Sequence, residues 1–234
     1  MFTTTHWSVV LAAGRTNEPQ SAAALEKLCR TYWYPLYAYL RRSGYSEHDA
    51  QDLTQGFFAQ LLEDRTIESV QREKGKFRSF LLRRLKYHIA HDRERASAKK
   101  RGGGCEVFSL DSLEAEQRYR LEPRDDRTPE KIFEHRWAMT VLDQALTQLA
   151  KEFQESGKAA LFERLRLFLI DEKGNRTYRE LADEMGISED AFKKGVQRMR
   201  RRYSELLRAE IAQTVSEEAE VEEELGYLRS VLTT

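Results

Sequence analysis

Cysteine is nearly absent from this chain. Among 234 residues there are two, Cys29 and Cys105, far apart and in no Cys-x-x-Cys pair. That scarcity argues against a disulfide framework or a thiolate zinc site. Cys29 reads as a core residue and Cys105 as a thiol on a connecting segment. Proline and glycine are also scarce, with 4 and 12 residues, which argues against a turn-dense β architecture or a low-complexity chain. Alternating strand patterns are almost missing, and no sequence repeat is evident. No apolar run approaches the roughly 20 residues of a membrane span, and the first residues lack the hydrophobic stretch of a signal peptide. A cytoplasmic protein with no membrane partner is therefore expected. Net charge is zero although 33% of residues are charged, so only the distribution of charge can speak about partners.

That distribution is uneven. Residues 71–101 hold 12 Lys and Arg against 3 Asp and Glu, and 188–208 hold 7 against 3. Acidic stretches separate and follow them: 46–73 carry 2 basic against 7 acidic residues, and 209–234 carry 1 against 7. Two basic segments set apart in this way predict two separate contacts with a polyanion.

The rest of the chain is organised around residues 177–207. Thr177-Tyr178-Arg179-Glu180 fits a capping box, with a hydroxyl at the N-cap and a carboxylate three positions on. Leu181, Ala182 and Met185 make a short apolar face. Gly186 can take the left-handed conformation that ends a helix, with Ile187 plugging the turn. Ser188 then caps a second helix, and Glu189 and Asp190 suit the positive end of its dipole. Phe192, Val196, Met199 and Tyr203 share one face, and the remainder is basic. This is how a helix-turn-helix offers a recognition helix to a major groove. An Arg-rich solvated helix in an ordinary helical hairpin is the competing reading. Lys193, Lys194, Gln197 and Arg198 are placed to reach base edges or phosphates. Arg200, Arg201 and Arg202 suit phosphates. Gly195 costs helix propensity, and its missing side chain suggests close approach to DNA.

Upstream, residues 21–42 read as a helix that Pro35 kinks or splits and Gly44 ends. Ser46-Glu47-His48-Asp49 is a second capping box, opening a helix through Leu62 with Ala50, Leu53, Phe57, Phe58 and Leu61 on its apolar side. Residues 77–95 form a long helix with a core stripe of Phe77, Leu81, Leu85 and Ile89, and Phe80 also reads as core. Arg83, Lys86 and Tyr87 lie roughly opposite that stripe. Residues 96–127 lose all periodicity and include Gly102-Gly103-Gly104. No Gly-Lys-Ser or Gly-Lys-Thr follows those glycines, so they are not a phosphate loop. Thr128-Pro129 starts another helix, through Phe153, and residues 158–170 make one more.

The stretch Asp49-Ala50-Gln51-Asp52-Leu53-Thr54-Gln55-Gly56-Phe57-Phe58 resembles the core-binding helix of bacterial sigma factors, where an Asp-Ala-x-Asp-Leu-x-Gln-x-x-Phe pattern recurs. The run FRSFLLRRLKYHIAHDRER over 77–95 is similar to the next helix of sigma region two, with Phe80 where many members carry Trp. Residues 177–207 resemble sigma region four. The three motifs stand in the family's order over about residues 25–211, with no room for a third domain, as in the extracytoplasmic-function subfamily. The chain departs from the family in an added segment over 158–170, in Gly195, in an extended leader and in an acidic tail.

The resemblance implies an all-α fold of two helical domains joined by a linker: a leader over 1–17, a region-two domain over 18–97, a linker over 98–127, a helix-turn-helix domain over 128–212 and a tail over 213–234. It implies a specificity subunit that binds core RNA polymerase and promoter DNA, leaves room for an anti-sigma partner, and needs no cofactor. Asp49, Asp52, Leu53, Gln55 and Phe58 would meet the polymerase. Lys74, Lys76, Arg78, Arg83, Lys86 and Tyr87 would serve the -10 element and strand opening. Lys193, Lys194, Gln197, Arg198 and Arg201 would serve the -35 element.

A stand-alone helix-turn-helix regulator is the alternative, but it leaves 49–58 without a role. His88, His91 and Asp92 invite a metal, yet the surrounding cations oppose one and no further ligand cluster is evident. No nucleophile–base pair appears, so an enzyme is not expected. The tail, SEEAEVEEE followed by Leu225, Leu228, Val231 and Leu232, reads either as a solubilising disordered end or as a short helix whose acidic block lies against Arg200 to Arg202 or against the basic helix over 77–95.

Overall fold

Apolar side chains recurring three and four apart can all be buried only on a helix, and such spacing accounts for most of the secondary structure. The computed structural model describes residues 19–63, 76–98, 112–121, 126–169, 176–215 and 218–233. Among them are nine α-helices and no strand, so the protein is all-α. In chain order these are α1 Pro19–Arg42, α2 Glu47–Glu63, α3 Phe77–Ala98, α4 Ser112–Leu121, α5 Pro129–Glu155, α6 Ala159–Leu165, α7 Tyr178–Glu184, α8 Glu189–Ala212 and α9 Glu220–Thr233, with a single 3-10 turn at Arg166–Phe168. The expected leader over 1–17, Lys74, Cys105 and the triple glycine lie outside the described residues. The residues group into two units, Met1–Thr140 with Ile211–Thr234, and Val141–Glu210.

In the first unit α1 is the central element. It runs through Pro35 unbroken and buries Tyr32, Leu36, Tyr37, Ala38 and Leu40 completely. Gly44, at φ +92°, ends it, and the Tyr45 amide reaches back to the Leu40 carbonyl. The Ser46 side chain then caps α2: its Oγ accepts from the Asp49 amide at 3.1 Å and donates to the Asp49 carboxylate at 2.6 Å. Trp33 of α1 stacks on Phe58 of α2 at 5.8 Å, and Tyr32 meets Phe77 of α3 edge-on at 5.4 Å. Phe77, Leu81, Leu85 and Ile89 are buried, and so is Phe80, as the stripe predicts. Cys29 is a buried thiol.

Three features of this unit differ from the reading of the sequence. The aperiodic stretch 98–127 contains α4, held on α1 by a buried acid. Glu116 accepts from the Tyr37 hydroxyl and from Arg41 at 3.1 Å and Arg120 at 2.9 Å. Burial opposes the Glu116 charge, but Tyr37, Arg120 and Arg41 more than offset it and hold the carboxyl below its ordinary range. The same burial, with Glu116 accepting its proton, pushes the Tyr37 phenol up. A helix held mainly by polar and aromatic contacts, with Ala115 its only buried apolar residue among those described, leaves no apolar stripe to read.

The second difference is the boundary between units, which falls inside α5 rather than in 98–127. The cause is the α5 segment through Thr140, whose Ile132, Phe133 and Trp137 are buried in the first unit. The third is the tail: residues 220–233 fold as α9, with Val221, Leu225 and Leu228 buried. Of the two readings, the helical one holds.

The second unit is small. Its core gathers Leu149, Phe162, Leu165, Phe168, Leu181, Ala182, Phe192, Val196 and Met199. Phe168 anchors it, stacked on Tyr178 at 4.4 Å and edge-on to Phe192 at 5.6 Å. Each buried phenyl contributes about 2–3 kcal/mol over its exposed state. The segment expected as one helix over 158–170 is α6 followed by the 3-10 turn, which brings Phe168 inward beside Leu165.

Candidate nucleic-acid and polymerase interfaces

The α7–α8 pair is built as its sequence dictates. Thr177 Oγ1 accepts from the Glu180 amide at 3.2 Å, and the Glu180 carboxylate accepts from the Thr177 amide at 2.7 Å, completing the capping box. These bonds hold Glu180 below its ordinary range, the backbone bond most of all. At the other end Gly186 has φ +66°. The Ile187 amide reaches the Ala182 carbonyl and the Gly186 amide the Asp183 carbonyl, both at 3.1 Å. This paired arrangement needs a left-handed residue, which is why glycine stands there. Ile187 is 37% exposed, so it does not plug the turn. Ser188 Oγ accepts from the Ala191 amide at 3.2 Å and starts α8.

Along α8, Phe192, Val196 and Met199 are buried, and the opposite face is basic. Lys194, Gln197 and Arg198 on that face are exposed and have no hydrogen-bond or ion-pair partner among the described residues. Lys193 is paired with Glu189 at 2.7 Å, a bond that raises its pKa. Further along, the arginines are engaged within the unit. Arg200 donates to the Phe168 carbonyl at 2.7 Å and Arg201 to Glu205 at 3.1 Å. Arg202 grips Glu152 with two bonds, at 2.8 and 2.7 Å. Arg201 stays 84% exposed and can turn to a phosphate; Arg202 clamps α8 to α5. Tyr203, its phenol pushed up to about 12 by burial, donates to the Leu142 carbonyl at 3.2 Å.

Gly195 has a different role from the one its position suggests. A Cβ there would meet the Leu165 methyls at 3.4 and 3.5 Å. The bare side of the helix therefore faces the unit's own core and not a groove. Those distances are ordinary contacts, so Gly195→Ala should fit and should raise stability by about 0.5–1 kcal/mol through helix propensity. A urea melt of the second unit checks this; lower stability would mean that Leu165 cannot yield.

In the first unit α3 presents Arg83, Lys86 and Tyr87 to solvent, with Tyr87 62% exposed. Lys86 is tied to Glu130 at 2.7 Å, which raises its pKa. His88 turns back to α2, sharing a 2.6 Å hydrogen bond with Gln60, so it is not aimed outward with His91. Phe57, Gln60, Leu61, Arg84, Tyr87 and His88 line a shallow notch on this face. Among the described residues no group of three or more His, Cys, Asp or Glu side chains could hold a metal ion.

The start of α3 departs most from expectation. Arg78 is buried and Lys76 only partly open to solvent, because α9 covers them. Arg78 is 4% exposed and bonds Glu224, itself 1% exposed, at 2.5 Å. Its guanidinium lies over the rings of Trp137 at 4.9 Å and Tyr227 at 4.0 Å. Lys76 reaches carboxylate oxygens of Glu223 and Glu224, each at 3.0 Å. Burial works against the Lys76 charge, but these two acids more than offset it and raise its pKa. Tyr227 is pushed up to about 12 by burial and by Glu134. The sequence signals were present. Arg78 stands three residues before Leu81 on the core stripe, and Glu224 falls in register with Val221, Leu225 and Leu228.

On α2, Asp49 and Asp52 are exposed and Leu53 and Gln55 half-exposed, forming one face. Phe58 is not part of it. Packed on Trp33 and 4% exposed, it belongs to the core with Phe57 and Leu61. Thr54 is fully buried, its hydroxyl bonded to the Ala50 carbonyl at 2.6 Å. Asp52 lies 3.5 Å from His48 on the same helix.

No described helix is long and apolar enough to cross a membrane. Compared with protein-family models, with curated proteins and with solved structures, the chain matches none.

Proposed function

We propose that this protein is a sigma-type specificity factor of the extracytoplasmic-function kind: it binds core RNA polymerase and directs it to promoters, working in the cytoplasm without a cofactor. The observation that carries this reading is the face of α8. Lys194, Gln197 and Arg198 stand unpaired on the exposed side of a helix that a glycine turn and a buried phenylalanine hold in place. Three such side chains on one helix can read a major groove, with Lys and Arg suited to guanine and Gln to adenine. Two further features support it. Tyr87 is an exposed aromatic among Arg83, Arg84 and Lys86, suited to stacking on an unpaired base. Asp49, Asp52 and Gln55 keep a polar face on a helix whose other side is core. A stand-alone regulator would use α8 and leave that α2 face idle.

The α2 face supplies the test. Asp52 is 65% exposed, so Asp52→Arg should leave the fold intact. It should also reduce co-purification with core polymerase at least tenfold, about 1.4 kcal/mol, as a like-charge clash replaces an attraction. Undiminished capture of core by the variant would remove α2 from the interface.

A further inference from the structure

α9 sets an acidic and aromatic surface on the two cations that open α3. Glu223 and Glu224 bond Lys76, Glu224 bonds Arg78, and Tyr227 lies beside both, 5.0 Å from Lys76 and 4.0 Å from Arg78. Oxyanions and a ring on Lys and Arg are also what a nucleic-acid single strand offers, with its phosphates and stacked bases. The fit to α9 is incomplete. Among the described residues Nε of Arg78 has no hydrogen-bond partner although it is buried. A guanidinium can hold two oxygens side by side, as a phosphate presents them; here Arg78 bonds one oxygen of Glu224.

The cover is also light. Glu223 is 71% exposed, and α9 is a 14-residue helix anchored by Val221, Leu225 and Leu228. A helix of that length is marginal on its own, so its docking is what keeps it formed.

We infer that α9 is a built-in competitor for single-stranded nucleic acid: its Glu223, Glu224 and Tyr227 occupy a strand-binding site formed by Lys76 and Arg78, and the site opens when α9 is displaced. The inference rests on the sigma-type reading for its purpose, since a factor that holds an opened strand only within the polymerase gains by being masked when alone. Its physical content stands apart from that reading. Salt weakens the exposed part of the cover, the Lys76–Glu223 pair, and it weakens the strand that α9 excludes as well.

The test measures binding of a fluorescein-labelled oligothymidylate to the full-length protein by anisotropy across a salt series, without polymerase. Glu223→Gln with Glu224→Gln should bind about tenfold more tightly than the parent at low salt, and its log–log salt slope should steepen by about 1.4 for two added phosphate contacts on a single strand. Adding Lys76→Gln should remove most of the gain. Glu218→Gln with Glu222→Gln makes the same charge change at exposed positions, one just before α9 and one on it, and should give a much smaller one. Equal gains from the two pairs, or a gain that survives Lys76→Gln, would overturn the inference, as would no gain at any salt. Should the first pair fail to fold by circular dichroism, the chain ending at Val215 takes its place. Tighter binding by that folded chain supports the competitor; unchanged binding, or a truncated chain that cannot fold, makes α9 a structural element and overturns it. Failure of the sigma-type reading would appear separately, as absence of polymerase association.

Discussion

Replacing Arg78 by alanine is expected to lower the stability of the first unit by about 3–5 kcal/mol. The pair it forms with Glu224 is buried on both sides, 4% and 1% exposed. Its charges are matched by each other, by Lys76 and by two aromatic faces, and not by water. Removing the guanidinium leaves the Glu224 carboxylate in a dry site. Lys76 still reaches that carboxylate, which puts the expected loss toward the lower end. If α9 docks by less than this, the helix leaves and the cost stops at its docking energy. Urea unfolding followed by hydrogen exchange at α9 amides separates the two cases. Arg78→Met combined with Glu224→Met should recover much of the loss, because a well-packed apolar pair avoids the desolvation that the ion pair suffers. A single Arg78→Ala variant that unfolds like the parent, with α9 still protected, would mean that the pair is solvated.

The second large effect falls on DNA discrimination. Lys194→Ala and Arg198→Ala should each weaken binding to the cognate promoter and relax the preference at one position by about 1–3 kcal/mol. Their exposure and lack of partners mean that neither change should alter stability much. Arg201→Ala should weaken all sequences alike and reduce the salt slope by about 0.9, the signature of one lost phosphate contact on duplex DNA. Arg202→Ala should behave differently again. Its two bonds to Glu152 raise its pKa and lower that of Glu152, so its loss should appear in stability rather than in DNA affinity. Titrations of each variant against promoter variants over a salt series sort the four. Identical behaviour across all sequences would remove base reading from α8.

Much of the fold was legible because its signals are local. The Thr177–Glu180 capping box, the Gly186 turn, the Ser188 cap and the stripe Phe77, Leu81, Leu85 and Ile89 need only neighbours in sequence, and each stands in the structure as read. What was not legible depends on partners far along the chain. Glu116 looks like one acid in a charged linker until Tyr37 and Arg41, more than seventy residues away, enclose it. Arg78 and Glu224 are 146 residues apart; local spacing puts each beside a buried stripe, but nothing local says that they pair, and only their shared burial makes them a core pair. The family motif points Phe58 to a surface, but its spacing from Ala50, Thr54 and Leu61 places it inside. The sequence alone points Gly195 toward DNA, because nothing in it says that Leu165 stands opposite. The exposed positions Asp49, Asp52, Tyr87, Lys194, Gln197 and Arg198 did emerge from the pattern, since a helix with one buried face fixes where the other face points.

The most direct measurement of the central proposal is transcription in a purified system: core RNA polymerase, genomic DNA fragments and this protein, with transcript 5′ ends mapped. The account predicts discrete start sites that appear only when the protein is present, preceded by a shared pair of upstream elements. Starts should be lost with Asp52→Arg through failed polymerase binding. They should also be reduced with Tyr87→Ala on duplex templates, but not on templates already melted at the start. Specific binding of the protein to duplex DNA on its own, with no association with core polymerase and no new start sites, would contradict the proposal and leave a stand-alone helix-turn-helix regulator in its place.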